Sequence, residues 1–288
     1  MKSFIHFTKM QGAGNDYIYI DRMDPALPPL PLSPSELARR MSPRHTSVGA
    51  DGLVLILPSA SADARMQMFN ADGSEGAMCG NAIRCVGKYL FDNGYCRGTA
   101  MTVETKSGIK HLTLHLNDQG HVATVTVDMG QASTEPAAVP LSVAHPFIHA
   151  PLTLENRIYH LTALSVGNPH AVIFVDDPDK VDLADIGSQL EHHPLFPSGA
   201  NIEFVRPVDD HTLEMRVWER GSGETMACGT GACASVAASI LRTLCPTDTP
   251  VTVFMKGGTL TITCTQNLRL FMTGDAVKVY DGIYEIHP

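Results

Sequence analysis

The chain has 288 residues, of which 44% are hydrophobic and 18% are charged, and its formal net charge is −9. This composition is typical of a globular protein with one large domain or two modest ones. The acidic balance argues against a nucleic-acid partner, which would require a basic face. No run of 18 apolar residues occurs, so no membrane-spanning helix is expected.

The N-terminal segment and the cysteines favour a cytoplasmic protein. The opening residues, MKSFIHFTKM, lack the apolar core of a secretion signal. Seven cysteines are an odd count, which favours free thiols in a reducing compartment over a disulfide framework. The 13 histidines show no zinc-ligand spacing, so we expect no metal.

The first half of the chain predicts short strands, at YIYI (17–20) and LVLIL (53–57), and two helices. One helix begins after Ser33 as N-cap, with Pro34 in its first turn and Glu36 completing a capping box. The proline-rich segment before it, 25–34, contains PxxP spacings, but we interpret it as a stiff surface loop rather than an SH3-type ligand. The other helix follows Cys79 and should end near Gly94.

The second half repeats this order of elements. AVIFV (171–175) and LEMRVW (213–218) predict strands, and GACASVAASIL (231–241) predicts a helix. This helix is small and apolar nearly all round, so it should be buried on every side. The stretch 128–151 is interpreted as the connection between the two halves.

The two halves are also related in sequence. RMQMFNADGSEGAMCG (65–80) aligns without a gap with EMRVWERGSGETMACG (214–229), at an offset of 149 residues. GADGLVLILP (49–58) and GNDYIYID (14–21) have counterparts at offsets of 150 and 153 residues. We therefore predict an α/β (α+β) fold of two pseudo-symmetric lobes, each a barrel-like sheet wrapped around a central helix. The predicted lobes are 1–129 with 275–288, and 130–274.

Two cysteines occupy matched positions in this repeat, at the beginnings of the two helices. The dipole and free amides of a helix N-terminus favour a thiolate at Cys79 and Cys228. Gly80-Asn81 and Gly229-Thr230 would let backbone amides approach a carboxylate. A single cysteine would more simply be a buried core residue, and the pair could also form a disulfide; the CxxxxxC and CxxxxC spacings do not fit zinc. Matched thiols suggest a proton taken by one sulfur and returned by the other, which inverts a carbon centre without a cofactor.

The motifs GAGNDY, FNADGSE, MCGNAIR, GNPHAV, WERGSGET and ACGTGACA together resemble the diaminopimelate epimerases. The resemblance extends from FTKMQGAGNDY to YDGIYEI, which is essentially the whole chain. It implies a cofactor-independent enzyme that interconverts LL- and meso-2,6-diaminopimelate for lysine and peptidoglycan synthesis. It also implies a homodimer, and an active site in the cleft between the lobes.

Carried over residue by residue, the resemblance makes Cys79 and Cys228 the acid–base pair, with His170 and Glu219 supporting catalysis. Arg220 offers a planar fork for a second carboxylate. The residues expected to bind substrate are Asn15, Gly52, Asn70, Gly80, Asn81, Asn168, Asn201, Glu219, Arg220, Gly229 and Thr230. The chain departs from the family at Gly52, where many members have glutamine, and at Ala82, where glycine is usual.

Other functions are compatible with parts of the sequence. The segment GAGNDY is not a dinucleotide fingerprint, because Tyr17 stands where the third glycine belongs. A racemase or epimerase of the same fold could act on proline, hydroxyproline or histidine, although proline-type enzymes usually have Cys-Gly-His where this chain has Cys79-Gly80-Asn81. A duplicated amino-acid-binding or redox-sensing module remains the non-enzymatic alternative.

Overall fold

The computed structural model describes residues 3–286. The chain forms two compact units, Met1–Val127 with Gly274–Pro288, and Asp128–Thr273. Each unit is rich in strands and holds one long helix, which confirms the predicted mixed α/β class. Within residues 3–286, no helix is long and apolar enough to cross a membrane.

The first unit contains α1 (Pro34–Met41), α2 (Gly80–Asp92) and most of the N-terminal strands. Its strands are β1 (Ser3–Gly12), β2 (Asn15–Asp21), β3 (Gly52–Leu57), β4 (Ala64–Asn70), β5 (Glu75–Gly76), β6 (Ala100–Thr105), β7 (Gly108–Leu116), β8 (Val122–Gln131) and β18 (Val277–Ile286). The boundary with the second unit falls within β8.

The second unit contains α3 (Ser188–Glu191) and α4 (Gly229–Leu241), with a 3-10 turn at Pro178–Lys180 and a π-helical turn at Leu183–Gly187. Its strands are β9 (Ala150–Leu154), β10 (Arg157–Ser165), β11 (Pro169–Phe174), β12 (Asn201–Asp209), β13 (Thr212–Glu219), β14 (Gly223–Glu224), β15 (Pro250–Met255), β16 (Gly258–Cys264) and β17 (Arg269–Asp275).

The two units share one order of strand pairing. In the first, β2–β3 is parallel, β3–β4 antiparallel, β4–β6 parallel and β6–β7 antiparallel. In the second, β11–β12, β12–β13, β13–β15 and β15–β16 repeat those four directions in turn. The long helices α2 and α4 each have 13 residues and begin 149 positions apart, at Gly80 and Gly229. The repeat seen in the sequence is therefore a repeat of topology.

Helix α4 is buried almost throughout, as its composition predicted. Ten of its residues are buried, including the polar Ser235 and Ser239, whose hydroxyls donate to backbone carbonyls one turn earlier. These hydrogen bonds let two hydroxyls enter an apolar core without an unsatisfied polar group. Helix α2 begins at Gly80 and ends before Gly94, whose φ of 75° suits glycine after a helix C-terminus.

Helix α1 begins as predicted, but its capping box is incomplete. The Ser33 hydroxyl accepts a hydrogen bond from the Glu36 amide. The Glu36 carboxylate instead accepts from Arg39 and Arg40 on the exposed face of the helix. Two cations one turn away compete successfully for a carboxylate that would otherwise turn back to the cap.

The stretch 128–151 is more than a connection. Val139 and Phe147 are buried in the second unit's hydrophobic core, against residues such as Leu161 and Phe196. The Phe147 carbonyl accepts from the Ala163 amide. The interpretation of this stretch as a simple connection was therefore incomplete, because its sparse apolar residues lack a strand or helix period.

Candidate active site

Cys79 is the N-cap residue of α2 and is half-buried. Its extended backbone (φ −129°, ψ 122°) places it just before the first helical turn. Gly80 and Asn81, which begin the helix, are buried, and no amide of this turn donates a hydrogen bond to the Cys79 sulfur as a helix cap. The N-terminal end of a helix favours negative charge, whether on a thiolate or on a bound carboxylate.

The buried Arg84 side chain holds this turn in place through hydrogen bonds. The Arg84 guanidinium donates to the Gly80 carbonyl (3.2 Å), to Asn81 Oδ1 (2.9 Å) and to the Asp275 carbonyl (3.0 Å). Arg84 is fully buried, and burial lowers its pKa from the ordinary value. Because its donors hold both residues after Cys79, Arg84 orients the turn that would bind a carboxylate.

Arg84→Met is expected to lower the free energy of unfolding by about 3 kcal/mol, because two buried oxygens and one part-buried oxygen lose a charged donor. Urea unfolding followed by circular dichroism measures this change. Arg65→Met, on the exposed side of β4, is the matched control and should unfold like the parent. Equal stabilities of the two variants would contradict the role given to Arg84.

Asn15 begins β2, beside a cluster of charged residues. Asp16 lies 2.6 Å from Lys9 Nζ and accepts from both terminal nitrogens of Arg44. Arg44 also donates to Asp51, just before β3. Burial raises the pKa of Asp16, but the hydrogen bonds from Arg44 and Lys9 outweigh it and lower the pKa to about 2. This cluster holds the beginnings of β2 and β3 together, where Asn15 stands.

The Asp16 carboxylate makes the protein acid-sensitive. Its pKa is about 2 in the folded state against an ordinary value of 3.8, so its stabilisation is complete above pH 3.8 and disappears as the pH falls through 2. Urea midpoints of the parent and Asp16→Asn should therefore differ at pH 6 and converge towards pH 2. A difference between the two proteins that does not change with pH would contradict this prediction.

Gly52 and Asn70 lie opposite each other in the β3–β4 register. A side chain at Gly52 would collide with the Phe69 carbonyl, so this backbone has no room for the glutamine that the family resemblance would lead one to expect here. Asn70 is exposed at the end of β4, and its Nδ2 donates to Ser74 Oγ (3.0 Å). Of the residues expected to bind substrate in the first unit, Asn15, Asn70, Gly80 and Asn81 thus lie at strand ends or at the beginning of α2.

Cys228 is the N-cap residue of α4 and is buried. Its sulfur accepts from the Gly231 amide (3.4 Å) and lies 3.5 Å from the Thr230 hydroxyl. Burial raises the pKa of this thiol well above its ordinary value, and the nearby Glu219 and Glu203 carboxylates raise it further. The raised pKa favours the thiol form of Cys228 at neutral pH.

Glu219, at the end of β13, lies near that sulfur, since its charge raises the pKa of the Cys228 thiol. Its carboxylate accepts a hydrogen bond from Thr225 Oγ1 (2.5 Å). Burial raises the pKa of Glu219, and the hydrogen bonds from Thr225 and Cys228 oppose that change. The predicted supporting residue of the second unit thus lies near Cys228, one member of the predicted acid–base pair.

His170 belongs to a hydrogen-bonded chain that ends at Cys228. Its Nδ1 lies 2.6 Å from Glu203 Oε1, and both residues are fully buried. Its Nε2 lies 3.0 Å from Asn168 Oδ1, and Asn168 Nδ2 donates to Thr230 Oγ1 (3.4 Å). Asn168 and Thr230 therefore connect His170 to the environment of the sulfur, and Glu203 stands at the other end of the chain.

Asn201 and Arg220 also lie together in the second unit. The residues around Cys228 in this unit are called the Cys228 half-site. Asn201 Oδ1 accepts from the Arg220 amide (2.9 Å), and its Nδ2 donates to the Pro169 carbonyl. The exposed Arg220 guanidinium donates to the Ser198 carbonyl, which leaves other guanidinium donors for a ligand carboxylate. Among the ion pairs of residues 3–286 there is none between Arg220 and its neighbour Glu219, whose carboxylate accepts from Thr225 Oγ1.

Sequence reasoning missed several buried charged residues, among them Arg84, Glu191 and Glu203. Glu191 accepts from Trp218 Nε1 (2.7 Å) and from the Gly221 amide (2.9 Å), on either side of Arg220. Glu203 had a visible signal, since it interrupts the apolar strand segment ANIEFV. Such a carboxylate in a buried strand needs a buried partner, which here is His170.

Among residues 3–286 there is no group of three or more His, Cys, Asp or Glu side chains that could hold a metal ion. All seven cysteines are free thiols. The Cys85 thiol donates a hydrogen bond to the Gln11 carbonyl (3.3 Å), and burial raises its pKa to about 11. Cys85 is thus a core thiol, as expected.

Solved structures with this fold define its class. The chain superposes on a hydroxyproline epimerase from Agrobacterium vitis with a TM-score of 0.69 at 17% identity, over 98% of this chain and 91% of that one. A PhzF-family phenazine biosynthesis protein from Bacillus anthracis gives a TM-score of 0.70 at 19% identity, over 99% and 100% of the two chains. At these identities the likeness establishes the fold alone, which is that of a group including epimerases.

The sequence comparisons are more specific. The family model described as diaminopimelate epimerase matches residues 7–135 and 162–279. The diaminopimelate epimerase of Desulfovibrio desulfuricans is 49% identical over 98% of this chain and 99% of that protein. That of Acetivibrio thermocellus is 47% identical over the same shares. The chain belongs to the diaminopimelate epimerase family and is an isomerase.

Proposed function

We propose that this enzyme interconverts LL- and meso-2,6-diaminopimelate with two thiols and no cofactor, in the supply of lysine and peptidoglycan precursors. The observation that carries the proposal is the matched placement of Cys79 and Cys228 as N-cap residues of equal, duplicated helices. The family membership supports the choice of substrate.

The proposed reaction begins with one sulfur as thiolate and the other as thiol. The thiolate removes the proton from the substrate's α-carbon, and the electron pair stays on that carbon beside its carboxylate. The opposite thiol then delivers its proton to the other face of the carbon. The product has the inverted configuration, and the two sulfurs have exchanged protonation states.

The surroundings of the two sulfurs support a starting state with one thiolate and one thiol. In the second unit, burial and two carboxylates keep Cys228 as the thiol. In the first, the buried Arg84 donates to the two residues that follow Cys79 and so holds the turn that begins at this sulfur. The amides at Gly80-Asn81 and Gly229-Thr230 are proposed to hold the α-carboxylate, and Arg220 the distant one.

The same-fold alternative is a racemase of a small cyclic amino acid. A monocarboxylate such as proline gives no role to Arg220 or to the several asparagines, and Asn81 replaces the histidine usual in proline-type enzymes. A binding or redox-sensing module would need the thiols but not the hydrogen-bonded chain that leads from Glu203 to Cys228. The epimerase explains more of the site than either alternative.

The experiment that tests the proposal is an incubation of the reduced protein with LL-diaminopimelate, L-proline, or trans-4-hydroxy-L-proline in parallel. Chiral chromatography should detect the meso isomer in the first reaction and no inversion in the others. Inversion of either imino acid, with LL-diaminopimelate unchanged, would assign the protein to the same-fold alternative. No inversion of any substrate would favour the binding module.

We further propose a cytoplasmic homodimer. Support comes from exposed apolar side chains on paired strands β1 and β18, where Phe4 and Ile283 are 56% and 61% exposed. A monomer rarely leaves such a face uncovered. Sedimentation equilibrium should give twice the chain mass, and Ile283→Glu should shift the protein towards monomer; a monomeric parent would contradict the proposal.

A further inference from the structure

We propose that Glu203 is a positioning residue for the Cys228 half-site, acting through His170 to fix the direction of the Asn168 amide. This inference rests on the proposed epimerase function for its catalytic meaning. The contacts that carry it all lie within the second unit: Glu203 Oε1 to His170 Nδ1, His170 Nε2 to Asn168 Oδ1, and Asn168 Nδ2 to Thr230 Oγ1.

The two partners of the imidazole determine where it carries hydrogen. Asn168 Oδ1 can only accept a hydrogen bond, so the facing His170 Nε2 must carry a hydrogen. On the other side, Nδ1 and Glu203 Oε1 are 2.6 Å apart and share one proton. In this arrangement Nε2 is the donor towards Asn168, and Nδ1 faces the Glu203 carboxyl group.

The hydrogen on Nε2 in turn fixes the Asn168 amide. An asparagine amide can face either way unless its partners distinguish oxygen from nitrogen. In this structure the Asn168 oxygen faces His170 Nε2 and the Nδ2 group faces Thr230 Oγ1, so the His170 tautomer and the direction of the amide depend on each other. The Thr230 hydroxyl lies 3.5 Å from Cys228 Sγ, so the direction set at Glu203 is passed on to the environment of the sulfur.

The fold itself does not require a carboxylate at this position. By strand register, rather than by the sequence offset of 150, Tyr17 and Val54 of the first unit correspond to His170 and Glu203, and the strand pairing is the same. Within residues 3–286, Glu203 Oε2 is buried without a hydrogen-bond partner. Such a group is costly to bury, which a purely structural position would not need.

Glu203 is also packed directly beneath the N-terminus of α4. A Cβ on Gly231 would lie 2.8 Å from Glu203 Oε1 and 3.3 Å from Cys228 Sγ. The carboxylate and the sulfur therefore both lie close to the position that a side chain on Gly231 would occupy. This glycine leaves room for Glu203 to reach His170 while remaining beside the Cys228 half-site.

The test compares Glu203→Met and Glu203→Gln, with Glu214→Met as control. Glu203→Met removes the partner of Nδ1, so kcat/KM for LL-diaminopimelate should fall about tenfold, and ¹⁵N spectra of labelled histidine should show both tautomers of His170. A glutamine amide can donate to Nδ1 and keep Nε2 protonated, so Glu203→Gln should restore most of the activity. The Glu214 carboxylate pairs with the half-exposed Arg206 on a neighbouring strand, and Glu214→Met should match the parent.

The outcomes separate this inference from the proposed function. A parent protein that does not epimerise diaminopimelate rejects the function, whereas an active parent with an unaffected Glu203→Met variant rejects only the role of Glu203. A Glu203→Gln variant as slow as Glu203→Met would overturn positioning in favour of a requirement for charge. If Glu203→Met does not fold, the parent spectrum still decides, because a parent His170 with Nε2 unprotonated contradicts the inference.

Discussion

Replacing Cys79 or Cys228 with alanine is expected to lower kcat for diaminopimelate epimerisation by about a thousandfold, because either change removes one of the two proton-transferring groups. Inversion requires removal of a proton on one face of the carbon and delivery of a proton to the other face. The two single variants should therefore lose similar activity, and the double variant should be little slower than either. Steady-state assays in both directions measure the effect. The affinity for substrate, measured by calorimetry, should change little because amides and Arg220 are proposed to supply the binding.

The control for these variants is Cys245→Ala. Cys245 is buried in the second unit beyond α4 and lies in none of the matched motifs, so its loss should leave kcat unchanged. If either Cys79→Ala or Cys228→Ala kept the parent's kcat, two-thiol catalysis would be wrong. Retained binding with no turnover in any form, including the parent, would instead support the binding module.

The second large effect is expected at Gly231. Alanine there would place a Cβ 2.8 Å from Glu203 Oε1, 3.2 Å from Cys228 Cβ and 3.3 Å from its sulfur. Relief of these contacts must displace the sulfur or the carboxylate, and a shift of about 1 Å at a reacting group costs about a hundredfold in rate. We therefore expect kcat/KM of Gly231→Ala to fall about a hundredfold, although alanine is the better helix former.

The first unit supplies a matched control for this variant. Ala82 occupies the position of Gly231 in α2, with Val54 in place of the carboxylate. Ala82→Gly should cost about 1 kcal/mol of stability through helix propensity and leave kcat/KM unchanged. Thermal unfolding and steady-state kinetics distinguish the two effects. A Gly231→Ala variant with full activity would show that the packing around Cys228 tolerates a side chain.

Much of the fold could be predicted because the signals were local or repeated. The duplicated Cys-Gly motifs marked the beginnings of α2 and α4, and the uniformly small, apolar face of α4 predicted its burial. Where several partners compete, local rules were insufficient. Glu36 left the predicted capping box for Arg39 and Arg40, and the aperiodic stretch 128–151 concealed core residues.

The site was predictable only where a motif carried it. Asn168, His170 and Glu219 were found through their family motifs, but no sequence pattern indicated the contacts that join them. Glu203 and Arg84 are separated from these motifs or hidden on a helix face, and their importance depends on which buried groups the fold brings to them. A charge within an apolar strand is the signal that could have identified Glu203.

The most direct measurement of the proposed chemistry follows solvent deuterium at early times in heavy water. If one sulfur removes the α-proton and the other delivers a solvent-derived deuteron, newly formed meso-diaminopimelate should carry deuterium at the inverted carbon. The LL substrate recovered at low conversion should carry almost none. Deuterium entering recovered LL substrate as fast as it enters product, or protium kept through the inversion, would mean that a single group serves both faces and would contradict catalysis by a pair of thiols.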